Sequence, residues 1–269
     1  MSGRLAYVYA VVPASAATDR PRDAPTGPYG VAGAPVGFVR SGAVAAAVGA
    51  VPAAEFSEAA LKSRLEDLEW LEATARAHHA VIEALAARTT VLPLRLATVY
   101  LDETRVAGML REREAVFAAL LDRFAGHEEW GVKVYAESPP GAPPAPVAVD
   151  GPDAGRAYLR SRRRLRQERE DTWRAAREAV RRTEELARGL AVERARHRPQ
   201  QGDLARAPGR TGDNVANDAY LVPRHLSAQF HDRMRHAADD LPGVRVEVTG
   251  PWAPYSFAAP PVQEEVPQG

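Results

Sequence analysis

Trp130-Gly131-Val132-Lys133-Val134-Tyr135-Ala136 alternates apolar members with positions such as Gly131 and Lys133, the two-residue period of a half-buried strand. The route the chain takes beyond this strand decides the fold of its second half. Residues 138–152 carry six prolines in fifteen positions, which excludes a helix there and predicts an extended, exposed connection. A long helix is expected over residues 153–196, then a polar, Gly- and Pro-bearing linker over 197–213. Residues 215–222 read as a strand, Pro223 opens a helix toward residue 238, and residues 244–248 alternate as a last strand. Strand, long helix, strand, helix, strand is close to a ferredoxin-like α+β order with an enlarged helical first crossover.

The residues before Gly126 supply strands and helices of their own. Leu5-Ala-Tyr-Val-Tyr-Ala-Val-Val12 is rich in β-branched and aromatic residues, as a buried strand is. With Arg4 ahead and Ala14-Ser15-Ala16 behind, the run imitates a short secretory signal, but its single charge and short apolar stretch favour the strand. Residues 36–39 and 43–51 read as two short strands around Ser41-Gly42. Ser57 should cap a long helix with the stripe Leu61, Leu65, Leu68, Leu71, Ala75, His78, Ile82 and Leu85, ending near Arg88 ahead of Pro93. Residues 94–101 return as a strand. Asp102 then caps a helix with Val106, Met109 or Leu110, Val116 or Phe117, Leu120 and Phe124 inward, and Gly126 ends it. The expected fold class is α+β in two domains: residues 1–125, and a modified ferredoxin-like domain over 126–269 with a Pro-rich tail.

Composition excludes several chemistries. A chain of 269 residues can bury roughly 70–75% of its unfolded surface, enough for a sizeable core. Thirty-five basic residues balance thirty-five acidic ones, so no net field draws the molecule to nucleic acid or an anionic membrane. There is no Cys, hence no disulfide, thiolate nucleophile or zinc–thiolate site. The longest apolar run, residues 43–54, is broken by Gly49 and Pro52 and falls short of the ~20 residues of a membrane span.

Few residues resemble catalytic machinery. Gly27, Gly30 and Gly33 lack the spacing of a phosphate loop. Adjacent helical positions such as His78 and His79 diverge by about 100° and cannot chelate one ion; His78, on the apolar stripe, reads as a hydrogen-bonded core residue. His225, His231 and His236 are six and five residues apart and form no close pair, and Glu128 and Glu129 point to opposite faces of a strand. No catalytic, cofactor or metal residue is therefore expected.

Two segments suggest partner contact instead. Between Arg156 and Arg198 there are fifteen Arg against seven Glu and Asp. Most of these arginines read as a solvated face with pairs such as Glu178–Arg182 and Glu184–Arg188. The cluster Arg160, Arg162, Arg163, Arg164 and Arg166 has no acid before Glu168 and is the piece expected to face an acidic partner. The second segment is Gly250-Pro-Trp-Ala-Pro-Tyr-Ser-Phe257. Trp252, Tyr255 and Phe257 there read either as a partner anchor or as an aromatic clasp, and the expectation is a clasp over the edge of the second domain's own sheet.

Several segments together resemble the GvpL/GvpF gas vesicle proteins in order and spacing. They are the run at 5–12, Leu68-Glu-Trp-Leu-Glu-Ala-Thr-Ala-Arg-Ala-His-His-Ala-Val-Ile-Glu-Ala-Leu85, Thr90-Val-Leu-Pro-Leu-Arg-Leu-Ala-Thr-Val-Tyr100, Glu129-Trp-Gly-Val-Lys-Val-Tyr135, Asn217-Asp-Ala-Tyr-Leu-Val222 and residues 250–257. The chain departs in Ala253, where the family often has Pro, and in Leu96-Ala97, where many members have Phe-Gly. The resemblance implies two α+β domains and a non-enzymatic minor shell component or assembly factor in the cytoplasm. It further implies partners in the apolar major shell protein and other gas vesicle accessory proteins, with no nucleic acid or membrane. An RNA-binding or general scaffold module using the Arg-rich helix is the alternative, disfavoured by the neutral net charge.

Overall fold

The structure of the protein is a computed structural model that describes residues 3–17, 29–64, 66–137, 154–199 and 212–258. Helices and two sheets are mixed, and the chain divides into two compact units, Met1–Glu128 with Trp252–Gly269, and Glu129–Pro251. Trp252 onward belongs to the first of these units.

The first unit is built on β1 (Arg4–Pro13), β2 (Val36–Ser41), β3 (Val44–Pro52) and two short strands, β4 (Leu92–Pro93) and β5 (Val99–Tyr100). The sheet runs β2-β3-β1-β4 with β5 also on β1, every pair antiparallel. A register shift between Val8 and Ala10 sets two β1 steps against one on β3. That bulge explains why Tyr7 and Tyr9, then Ala10 and Val12, all join one core cluster although their parity changes. Val81 and Ile82 of the helix above complete this core. Helices at residues 103–124 pack on the same strands with a separate set that includes Val106, Leu110, Phe117 and Phe124. Cover on both faces is why β1 reads as a continuous apolar run rather than an alternating one.

Two expected helices are each divided. The first becomes α1 (Ala53–Phe56), α2 (Glu58–Arg64) and α3 (Leu68–Ala86). Ser57 Oγ accepts from the Ala60 amide at 3.4 Å, and Asp67 Oδ1 accepts from the Trp70 amide at 3.1 Å to open α3. The break resets the stripe. Leu68 is 78% exposed, while Thr74, His78, Val81 and Ile82 face inward; Leu65 lies outside the described residues. The second helix divides at Arg113 into α4 (Glu103–Glu112) and α5 (Glu114–Phe124), with Asp102 accepting from the Arg105 amide at 2.8 Å. In place of one strand over 94–101, the chain bends between β4 and β5 with Ala97 in the left-handed region at φ 59°.

The second unit contains β6 (His127–Ala136, entered from the first unit), α6 (Ala154–Ala187), β7 (Glu193–His197), β8 (Asp213–Pro223), α7 (Ser227–Arg235) and β9 (Val244–Trp252). Its sheet runs β7-β8-β6-β9. β7 replaces the end of the expected long helix. Its residues, Glu-Arg-Ala-Arg-His, favour helix locally, but antiparallel pairing with β8 from Glu193–Leu221 to His197–Asn217 overrides that preference. β9 also runs past its expected end at Val248. As an edge strand it can contain Pro251, which lacks an N–H, without breaking the ladder inside the sheet. Trp130, Val132, Tyr220, Phe230 and Met234 form one core patch, and Val134, Ala176 and Ala179 belong to another. The Pro-rich tract at 138–152, most of the linker at 197–213 and the tail beyond Ala258 lie outside the described residues.

Candidate functional site

α3 carries His78 onto the face of β1 occupied by the two tyrosines. Tyr7 Oη lies 3.0 Å from His78 Nδ1, and the Ala97 amide donates to the same oxygen at 3.0 Å. The two contacts are satisfied together when the hydroxyl accepts from Ala97 and gives its own proton to Nδ1, which places the imidazole proton on Nε2. Nε2 is buried with no hydrogen-bond partner. Burial pushes the His78 pKa down to about 4, against a smaller opposing pull from the Leu94 backbone. Tyr9 Oη accepts from the Val31 amide at 2.8 Å, and burial pushes its pKa up to about 12; Tyr7 moves in the same direction for the same reason. The rings are in close contact, tilted with centroids 4.8 Å apart between Tyr7 and Tyr9 and edge-to-face at 5.7 Å between Tyr7 and His78. A neutral imidazole so enclosed ties α3 and the β4–β5 bend to β1.

His79, one position on, faces outward and meets the tail. Its Nδ1 is 3.4 Å from Tyr255 Oη, its Nε2 is 3.1 Å from Glu83, and its ring centroid is 5.2 Å from that of Trp252. Phe257 is buried, Tyr255 is half-buried and Trp252 is 37% exposed. Trp252 and Tyr255 therefore lie at α3, and Phe257 is buried in the same first unit, whereas the expectation was the edge of the second domain's sheet. The separation in sequence is the reason: the surface nearest along the chain is not the nearest apolar surface in space.

The arginine cluster lies on the N-terminal half of α6, and all five members are exposed. Arg164 and Arg166 are held by Glu168 at 2.7 Å and Glu170 at 2.9 Å, each four residues on. Arg162 lies over the Tyr158 ring, 5.9 Å from its centroid. The structure thus leaves Arg160, Arg162 and Arg163 without an ion pair among the described residues.

The second unit also holds a polar network with no signature in the sequence. Arg194 on β7 reaches Glu184 on α6 at 2.7 Å and Asp218 on β8 at 3.0 Å. Glu184 therefore pairs across elements rather than with Arg188 as expected, and the Arg194 hydrogen bond holds its carboxyl below the usual range. The expected Glu178–Arg182 pair is present at 3.3 Å, and Arg182 also reaches Asp240. His231 stacks on Trp130 while His236 pairs with Asp239, so the histidines around α7 are used separately. Among the described residues no group of three or more His, Asp or Glu side chains could hold a metal ion, and no helix is long and apolar enough to cross a membrane.

These features define a mixed helix-and-sheet scaffold whose polar clusters join elements. Comparison with known proteins gives that scaffold its family. The chain belongs to the gas vesicle synthesis protein GvpL/GvpF family, whose pattern matches residues 5–259. It is 47% identical over 261 residues to gas vesicle protein L of Streptomyces sp. (strain CB03234), covering 95% of this chain and 93% of that one. In fold it resembles the crystal structure of GvpF from Anabaena sp. PCC7120, with a TM-score of 0.64, 18% identity and coverage of 96% and 97%. The GvpF structure from Microcystis aeruginosa gives a TM-score of 0.62 at 18% identity, covering 95% and 99%. The chain is thus a gas vesicle protein with a structural or assembly role.

Proposed function

We propose that the protein works as a non-enzymatic assembly factor or minor shell component of cytoplasmic gas vesicles, contacting the major shell protein and other gas vesicle accessory proteins. The family match over nearly the whole chain carries this reading, together with the 47% identity to a gas vesicle protein L. The enclosure of His78, the residue most like a catalytic base, favours a scaffold over an enzyme. The ferredoxin-like reading of the second unit belongs to the same proposal. The order β6-α6-β7-β8-α7-β9 and the sheet order β7-β8-β6-β9 support it, with α6 as the enlarged crossover.

The test is a clean deletion in the source cell, complemented with the intact gene, alongside capture of shell and accessory proteins by the purified chain. Vesicles should be missing or malformed in the deletion while growth is normal, and the purified chain should retain the shell protein. Normal flotation and vesicle shape, in a strain with no second family copy, would refute the role.

A further inference from the structure

β7 is the outer strand of the second unit's sheet, and β8 is its single strand neighbour. Their ladder runs from Glu193–Leu221 to His197–Asn217. No residue of β7 is buried, and among the described residues none joins either apolar patch of the unit. β6 and β8, by contrast, place Val132, Val134, Tyr220 and Val222 in those patches. Lifting β7 off the sheet therefore uncovers little apolar surface, the property of a segment that opens before its neighbours. Its sequence, Glu-Arg-Ala-Arg-His, adds no β preference of its own.

The side chain that ties β7 across elements is Arg194. It reaches Glu184 of α6 at 2.7 Å and Asp218 of β8 at 3.0 Å, and Arg196 reaches the same Glu184 at 3.4 Å. Arg194 stands opposite Tyr220 in the ladder, its guanidinium carbon 5.9 Å from that ring's centroid. Arg194 Nε and the Tyr220 hydroxyl are buried with no hydrogen-bond partner among the described residues. An enclosed network that is not fully satisfied depends on every member, because removing one acid leaves the guanidinium charge short of compensation.

We propose that β7 is a releasable edge strand, latched by the Arg194–Glu184–Asp218 contacts, which opens by itself while β8, β6 and β9 stay paired. When the latch opens, residues 217–221 of β8 become the outer edge of the sheet and the unit keeps its apolar patches. The strand's weak hold comes from what it lacks, a share in the core, and its closed state from one cation facing two acids on different elements. This is a property of the chain's own second unit and goes beyond the gas vesicle role.

The test is amide hydrogen exchange of the purified full-length chain, read by mass spectrometry on peptides covering β7 and β6. Urea is raised in steps that stay below the unfolding transition. The slowest amides of β7 should exchange about tenfold faster than those of β6, or more, and should respond little to urea, because a local opening exposes little new surface. Glu184→Gln should speed β7 exchange about tenfold and leave β6 unchanged. Arg194→Lys keeps the charge but loses the planar fork that meets both acids, and should speed β7 by a smaller factor. Equal rates and equal urea dependence for β7 and β6 in the wild type overturn the proposal, and this reading needs no variant to fold. Unchanged β7 exchange in Glu184→Gln, or equal acceleration of both strands, overturns it as well.

Discussion

Lowering the pH from 7.5 to 5 should destabilise the first unit by about 2 kcal/mol through His78 alone. The enclosed imidazole has a pKa near 4, against 6.5 for the exposed side chain, and burial is the main cause. The depressed value fixes the sign. The unfolded chain takes up a proton as the pH falls below 6.5 and the folded chain does not, so stability is complete above 6.5 and falls through the window down to 4. Each pH unit inside the window corresponds to about 1.4 kcal/mol, and the full loss below pH 4 approaches ~3 kcal/mol. His78→Gln removes the titration while its amide can still accept from Tyr7. The variant should be destabilised at pH 7.5, and its deficit relative to wild type should shrink by about 2 kcal/mol at pH 5. Amide exchange of β1 peptides in a urea series, read by mass spectrometry, isolates the first unit. The His78 ring resonances should also keep their neutral-form positions down to about pH 5. An equal deficit at both pH values, or a ring that titrates near its ordinary value, would refute the locked neutral imidazole.

Three further outcomes are expected. Ala97 sits at φ 59°, where a Cβ is disfavoured, so Ala97→Gly should stabilise by ~0.5 kcal/mol and Ala97→Val should destabilise by more than ~1 kcal/mol; the opposite signs are the check, in urea unfolding. Gly42 closes the two-residue turn between β2 and β3 at φ 56°, and a Cβ there would lie 2.0 Å from Glu114 Oε1, which accepts from the Ala43 amide at 2.8 Å. Gly42→Ala should lower stability by about 1–2 kcal/mol, and an unchanged melting temperature would mean the turn relaxes freely. Phe257→Ala should cost about 3–5 kcal/mol in the first unit and Trp252→Ala clearly less, since the first ring is buried and the second is 37% exposed; the reverse order in thermal melts would contradict the clasp geometry.

The legible parts of the fold are those fixed by local pattern. Alternation marks β6, the aromatic and β-branched run marks β1, and the caps at Ser57 and Asp102 are where side-chain chemistry sets a helix start. The cap at Asp67 carries the same chemistry but is hidden inside a periodic apolar run, so the shift of the buried face away from Leu68 is not visible in the sequence. β7 has no local signature at all, because what makes Glu193–His197 a strand is its pairing with β8 and the Arg194 contacts to Glu184 and Asp218. Of the candidate sites, the arginine cluster falls within α6. Which of its members are already paired depends on the helix register to Glu168 and Glu170.

The adjacent histidines explain how a discontinuous first unit holds together. His78 ties α3 to β1 near one end of the chain, and His79 ties the same helix to Tyr255 and Trp252 near the other. The His79–Tyr255 contact joins residues 176 positions apart, for which closing an unstructured loop would cost on the order of 4–5 kcal/mol. That cost does not fall on the clasp alone. β6 and β9 are neighbours in the second unit's sheet, and Gly250 lies so near the strand where the chain enters that a Cβ on it would come within 2.8 Å of the Glu129 carbonyl. The second unit therefore begins and ends side by side. The long loop is thereby closed by contacts the second unit makes for its own core. A modest set of ring contacts and one buried phenylalanine then suffices to hold the tail, because the entropy of bringing it back has been met by β6 and β9.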